Sequence, residues 1–406
     1  MKLIIALFMI LYLYALSFGI FMTEIFRIPA PFIFCFPLIF IFKDKDRIPF
    51  LYTKEIILVS LAIFLYYFVG LSEFKTFVKN MLSIMVCAFF FNYFIGNSRA
   101  RLNSAVLVFY LLLTFSAIIM VFDSFYGIEN IRSLSMNEKV IQSPAGIAIH
   151  QFTFGYQLAA LTTFLFIYSC TYNKPFLLKI VLLMVCLVFL LLGMQRSAFV
   201  TFGISTTIFL VIYYRFKAVF LLSISIILCG LIYYFTLHDN LDGISNIIVK
   251  NDVSNPAHNR ASLTSENLNI FFNHPFGLIF YGKNWGDVIY RNYTFAEGMT
   301  SHNAYLMFVT YLGPFLGLGL LISIYHKIIG IFFRIVETIR SKENRLLICL
   351  CFSFLAISMN SLFHNAWLIE ANGPTIFLFF SILHMYKFKM VDIVSEDQSS
   401  KTLSYA

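Results

Sequence analysis

Residues 176–194 read FLLKIVLLMVCLVFLLLGM, nineteen positions carrying one charge, Lys179, and no glycine or proline before Gly193. At about 1.5 Å rise per residue such a run crosses about 30 Å of hydrocarbon as an α-helix, the form in which one segment satisfies its own backbone hydrogen bonds. The run stops at Gln195-Arg196-Ser197, and a second begins at once over 197–214. Working outward from this pair, apolar runs lie over 3–21, 28–42, 55–71, 76–96, 102–122, 152–171, 218–237, 303–325, 346–363 and 367–386. The run at 28–42 is short and holds Pro29, Pro31 and Pro37, so it is expected to be kinked, or part of a re-entrant hairpin with the first.

Composition agrees. The chain has 406 residues, 60% hydrophobic, 18% aromatic and 12% charged, with 50 Phe against 2 Trp. A soluble domain carries about a quarter charged residues, so a soluble enzyme and a disordered chain are both excluded. The expected fold is an all-α integral membrane protein of about twelve transmembrane helices. The net charge of +9 matters through its sidedness rather than as a nucleic-acid signal, because no basic stripe with interleaved aromatics stands outside the runs. All seven cysteines (Cys35, Cys87, Cys170, Cys186, Cys229, Cys349, Cys351) lie inside apolar runs without C-x-x-C spacing, which removes a disulfide framework and a zinc site together.

With the N-terminus placed in the cytoplasm, the inner connections hold Lys43, Lys45, Arg47 and Lys54, then Arg99 and Arg101, Lys174 and Lys179, Arg215 and Lys217, a cluster from Lys327 to Arg345, and Lys387 and Lys389. With Lys2 and Lys401 these make 19 of the 29 Lys and Arg residues. The positive-inside rule then predicts twelve spans with both termini cytoplasmic. The first run has a second reading, a cleaved signal peptide, since Lys2 precedes it and Ala15-Leu16-Ser17 is a weak small-residue site.

The expected organisation is helices 1–9 over 1–237 with an outer loop at 123–150, a large outer loop at 238–302, helices 10–12 over 303–389, and a polar tail at 390–406 predicted to be disordered. The large loop carries ten charged residues and His238, His258, His274 and His302. Within it Leu268, Phe271 and Phe272 repeat at helical spacing, which fits either an amphipathic helix lying on the membrane surface or a helix packing the loop onto the bundle.

Several polar residues at span ends suit chemistry, and each has a plainer alternative. Ser301-His302-Asn303-Ala304-Tyr305-Leu306 puts a histidine at a helix start beside the interface, where it exchanges a proton near neutral pH or serves simply as an interfacial side chain. Gly313 and Gly317 farther on read equally as a close helix-packing surface. Arg196 is either a membrane-edge anchor or a clamp for phosphate, to which guanidinium offers a planar fork of donors. Arg260, ahead of the Asn273-His274-Pro275-Phe276-Gly277 turn, and Arg132 in the shorter outer loop read as solvated charges one by one; together with Arg196 and a histidine they suit a polyanionic lipid-linked substrate. Asp44-Lys45-Asp46 has a metal-holding spacing but sits in a basic inner loop, and Asp239 and Asp242 beside His238 have nothing to fix their geometry. With no Gly-rich phosphate loop, G-x-S-x-G or H-E-x-x-H, metal-independent chemistry without a cofactor is favoured.

Taken in order, Gln195-Arg196-Ser197 at a span start, Arg260 upstream of Asn273-His274-Pro275-Phe276-Gly277, and His302-Asn303-x-Tyr305-Leu306 leading into Gly313 and Gly317 resemble the O-antigen polymerase and O-antigen ligase family of bacterial inner-membrane proteins. The likeness covers about residues 120–320, including the long loop between the ninth and tenth runs. The chain departs from the family pattern at Leu312, where the family often has an acid, and in the four-residue step from Gly313 to Gly317 with Pro314 between them. The resemblance implies glycosyl transfer on the outer face of the inner membrane from an undecaprenyl-diphosphate-linked oligosaccharide. The acceptor would be a lipid-linked repeat unit in a polymerase and the lipid A core in a ligase. It further implies Arg196 and Arg260 on the diphosphate with Arg132 as a third member, His302 as base or orienter of the acceptor hydroxyl, and Asn303, Tyr305 and His274 lining the substrate. Glu297 and Asp287 are the nearest acidic alternatives to His302. Membrane lipid, a flippase and a chain-length regulator are the implied partners, and nucleic acid is not. The Phe-, Ile- and Tyr-rich character favours polymerase over ligase. A twelve-span transporter or flippase is the competing class, against which stands the shortage of ionisable groups at mid-depth; Glu370 and His384 lie near span ends.

Overall fold

The computed structural model describes residues 2–21, 29–41, 49–126, 151–237, 260–289 and 301–403. The described residues are all-helical, with no strand. In chain order the helices are α1 (Lys2–Phe18), α2 (Ala30–Ile41), α3 (Thr53–Ile63), α4 (Phe74–Phe89), α5 (Arg99–Tyr126), α6 (Gln151–Thr171), α7 (Phe176–Leu192), α8 (Arg196–Tyr214), α9 (Ala218–Leu237), α10 (Arg260–Asn273), the short α11 (Trp285–Val288), α12 (Ala304–Gly313), α13 (Gly319–Glu337), α14 (Arg345–Asn360) and α15 (Gly373–Leu403). Three π-helical turns, Phe64–Gly70, Phe90–Ile95 and Pro314–Leu318, extend α3 and α4 and join α12 to α13. Five helical stretches are long and apolar enough to cross a membrane: Thr53–Gly70, Phe74–Ile95, Arg99–Tyr126, Arg196–Phe235 and Ala304–Glu337. Within Arg196–Phe235 the chain turns through a 3-10 segment, Arg215–Lys217. Shorter apolar helices fill Lys2–Phe18, Ala30–Ile41, Phe176–Leu192 and Arg345–Asn360. Helix α2 keeps Pro37 in its interior. Helix α15 runs on through Leu403. Once a helix is nucleated, each further residue adds a hydrogen bond at little cost.

The polarity of the bundle is inverted relative to a soluble protein. Leu107, Leu111, Phe115, Ile118 and Phe122 form an exposed apolar stripe along α5, whereas Ser116 on the same helix is buried. Helix α6 lies deep and carries the buried polar set Gln157, Thr162, Thr163, Ser169 and Thr171. Those groups bind their own helix or cross to neighbours. Gln157 Nε2 donates to Ser17 O (2.9 Å), and Ser353 Oγ on α14 donates to Ala160 O (2.8 Å) while pairing with the Tyr110 hydroxyl (2.8 Å). Where lipid offers no hydrophobic drive between helices, packing of small residues and such cross-helix bonds hold them together.

The two ends differ. At one end Lys327 pairs with Glu55, Lys387 Nζ donates to Asn97 Oδ1 (3.0 Å), Arg101 to Phe94 O (2.8 Å) and Arg340 to Tyr213 O (3.0 Å), while Arg345 lies over the Tyr172 ring. His384 is locked just inside this basic end. Its Nε2–H donates to Gly96 O (2.7 Å), which leaves Nδ1 to accept from the Tyr52 hydroxyl and so fixes the tautomer. The chain enters α8 and α12 at the opposite end.

The unit 260–289 leans on α12. Asn267 at the centre of α10 donates through Nδ2 to Ser301 Oγ (2.9 Å) and accepts through Oδ1 from Thr310 Oγ1 (2.6 Å), with Leu263 and Ile270 buried one turn either side. Leu268 and Phe272 lie on its exposed side, so α10 packs on the bundle by one face and leaves the other open. Below it, Gly277 and Gly313 meet backbone to backbone. A Cβ on Gly313 would run into the Phe276 carbonyl, and Gly313 itself (φ 83°, ψ 167°) occupies backbone space reserved for glycine. Gly313→Ala is therefore expected to cost at least the 1–3 kcal/mol of that conformation and to lower the apparent unfolding midpoint in detergent. Gly319→Ala, six residues on with open space at its Cβ, should leave the midpoint unchanged.

Candidate functional site

A two-residue hinge decides where Arg196 goes. Gly193, whose missing side chain leaves room for Phe154 and Leu158, is followed by Met194 in a left-handed conformation (φ 54°), and Gln195 then opens α8 as its N-cap. Arg196 and Ser197 thus emerge at the first turn of α8. Ser197 Oγ is 2.7 Å from His364 Nε2, in the connection between α14 and α15. That connection gathers the end of the bundle. Ala304 N donates to both Ser361 O and His364 O (3.0 Å each), tying down the start of α12, and the Tyr156 hydroxyl of α6 donates to Ala366 O. Trp367, almost wholly buried, packs against Tyr305 and Phe308 (ring centroids 5.2 and 5.0 Å).

Around this connection the structure brings together several residues singled out from sequence. Arg196 and His302 both flank His364, one through Ser197 and the other through the Ala304 amide. His302 is held at φ 52°, a left-handed conformation uncommon for histidine, in the turn just ahead of α12. Asn303 is structural, since its Oδ1 accepts from Leu306 N (3.0 Å) and so caps α12. Tyr305 turns inward, its hydroxyl donating to Ser358 O (3.0 Å) and lying 3.1 Å from the Tyr325 hydroxyl. Arg260 begins α10, seven residues and about 10 Å of helix before the Asn267 contact with Ser301.

Other residues stand elsewhere. His274 lies at the far end of α10 beside the Gly277–Gly313 contact, about 14 Å along α12 from the His302 turn. Lys283 Nζ donates to its Nε2 (3.2 Å), leaving Nδ1–H for Ile270 O (3.2 Å). Asp287 Oδ2 accepts from the Asn284 amide (2.7 Å) in a capping box. Arg132 and Glu297, with the rest of 127–150, 238–259 and 290–300, lie outside the described residues. Among the described residues no three His, Cys, Asp or Glu side chains gather as metal ligands.

The site holds further residues for which the sequence reading proposed no chemical role. His364 and Asn360 are buried, and Gln195 faces Asn360 across Gly155, where an added Cβ would crowd the Gln195 amide oxygen (2.9 Å). Gln195 Nε2 and both amide atoms of Asn360 have no hydrogen-bond partner among the described residues. Buried amides without protein partners are suited to a polyhydroxylated ligand. Glu370 ends the same connection in a 3-10 turn, accepting from the Tyr67 hydroxyl, which the π-turn after α3 swings toward it. Burial pushes the Glu370 carboxyl up to about 8; the Tyr67 bond pulls against this, and the nearby Glu73 charge adds to it. Asp123, buried in the last turn of α5, brings another carboxylate to this end.

Two apolar grooves open between helices, each with polar groups of the site at one end. The larger, about 880 Å³, runs between α6, α7, α8 and α9, lined by residues such as Leu187, Phe199, Leu210 and Ile226, with Arg196 in its wall. The smaller, about 540 Å³, lies between α12, α13 and α14, with Tyr305, Tyr325 and Ser358 in an otherwise apolar lining. Comparison with protein-family models and with curated protein sequences returns no match to this chain.

Glu370 also sets a pH dependence of stability. Its folded-state pKa lies above the unfolded value, so between about pH 4.5 and 8 the folded protein holds a proton that the unfolded chain has lost, and stability falls as pH rises through that window. Glu370→Gln should flatten the fall. The apparent unfolding midpoint of the variant is expected to drop less between pH 5 and pH 9 than that of the wild type, by a few degrees.

Proposed function

We propose that this chain is a surface-polysaccharide polymerase of the O-antigen type, with twelve spans, both termini in the cytoplasm and the Arg196 end facing the periplasm. In this reading it transfers a growing glycan from an undecaprenyl-diphosphate carrier to a lipid-linked repeat unit. The observation that supports it best is the placement of a guanidinium, Arg196, in the wall of a long apolar groove, at the bundle end that also carries His302, with Gln195 Nε2 and the Asn360 amide lacking partners among the described residues. A lipid diphosphate sugar has those same parts in that order: an apolar chain, a dianionic link and a hydroxylated head. The gathering of lysines and arginines at the opposite end supports the orientation.

The chemistry then follows from charge. The acceptor hydroxyl oxygen attacks the anomeric carbon of the donor sugar, its proton passing to His302, while the bond from that carbon to the diphosphate oxygen breaks. The leaving diphosphate keeps the electron pair. Arg196 and Arg260 offset the charge that builds on it, a role in which preorganised donors at low dielectric act strongly. A positioned base typically contributes about 100-fold or more. The buried Ser197–His364 bond fixes Arg196 relative to the His302 turn. The Asn303 cap holds that turn at the start of α12.

The test is genetic. The gene is deleted in its host, complemented with wild type, Arg196→Ala or His302→Ala at matched membrane levels, and the surface polysaccharide is resolved on a gel. The expected result is a full ladder with wild type and lipid A core bearing a single repeat with either variant. Bare core with long chains accumulating on the carrier would instead establish a ligase. A normal ladder from both variants would overturn the site.

A further inference from the structure

The unit 260–289 spans nothing, yet it carries a row of bare aromatics. Phe272 in the last turn of α10 is 71% exposed, Phe276 in the turn that follows 58%, and Phe280 in the 3-10 segment Leu278–Tyr281 65%. Several large apolar side chains left exposed on one small unit mark a surface that meets something apolar.

The depth of this row follows from the helices that hold it. The Lys327–Glu55 pair ties α13 to the first turn of α3 at the basic end. From Lys327 back to Gly313 is fourteen residues, about 21 Å of helix, and from Glu55 to Gly70, which abuts the Tyr311 ring, is fifteen, about 22 Å. Both routes agree. A hydrocarbon core is about 30 Å thick, so with the ion pair at one boundary Gly313 lies at or inside the other. Gly277 touches Gly313 backbone to backbone, which brings the Phe276 turn to the same depth. Phe315, two residues beyond Gly313 and 81% exposed, continues the apolar surface onto a helix long and apolar enough to cross. Beside the Phe276 turn Lys283 Nζ donates to His274 Nε2 (3.2 Å), and the Tyr311 hydroxyl donates to Asn284 Oδ1 (3.2 Å).

We propose that the Phe272, Phe276 and Phe280 row is a lipid-binding ridge, seated in the bilayer leaflet at the Arg196 end, that anchors the otherwise extramembranous 260–289 unit. The occupant is acyl chain beneath, with lipid headgroups at the level of Lys283 and His274. The arrangement does not depend on the proposed polymerase reaction.

Phe276→Trp and Phe280→Trp, each made in the full chain and reconstituted in phosphatidylcholine bilayers, report on it directly, with the wild type and its two native tryptophans as the baseline. In bilayers of acyl-brominated phosphatidylcholine the added emission of either variant is expected to lose most of its intensity, and to resist iodide supplied from water. Emission quenched by iodide and not by bromolipid would mean that the row faces water. Emission quenched by neither would mean that protein covers it, another segment of this chain or a second copy. Each of those two results overturns the proposal, and having two positions guards against one variant that does not fold.

Discussion

Hydrocarbon gives a backbone amide nothing to bond to, and the rest of this molecule is arranged around that demand. Helices satisfy their own amides except at their ends, where the first N–H and last C=O groups need partners. Helix ends are therefore where the structure concentrates its polar side chains and its cross-connections. Asn303 caps α12, and the Ala304 amide finds two carbonyls in the α14–α15 connection. The Gly96 carbonyl, after the π-turn of α4, is met by His384. The same requirement that makes the middle of the bundle bland makes its two ends chemically rich, and different from each other.

The twelve-residue connection 361–372 is the hub of the richer end. Its carbonyls bind α12 and α6, its histidine binds α8, its tryptophan fills the space beside Tyr305, and its last acid meets the π-turn after α3. A short loop that touches four helices at one end helps to fix their relative heights. Arg196 and His302, more than a hundred positions apart in sequence, come to the same end of the bundle because Ser197 and Ala304, close to them in the chain, both bond to this one segment.

Much of this was legible in advance, and the reasons for success and failure are physical. Lipid demands long apolar runs, so helices fall where hydropathy puts them, and polar interruptions such as Gln195-Arg196-Ser197 mark helix starts without help from any other part of the chain. His302 and Asn303 were visible for the same reason. His364 was not, because it occupies a connection so short that the runs before and after it read almost as one, and the break in Asn360–Asn365 shows only as a brief polar interlude. Roles were harder still than positions. Nothing in the sequence tells that Asn303 is occupied by a cap, that Asp287 is occupied by the Asn284 amide, or that Tyr305 points inward to Ser358.

The contact between Gly277 and Gly313 has a consequence for how this architecture would look in other chains. It fastens the 260–289 unit to α12 through main-chain atoms, so no particular side chain is needed at the seam. Nearly every residue around it is free to drift while the docking geometry stays put, provided both glycines persist together. In a chain with nineteen glycines, two more of them carry almost no signal. A fold fastened in this manner can be inherited intact long after its sequence has ceased to announce it.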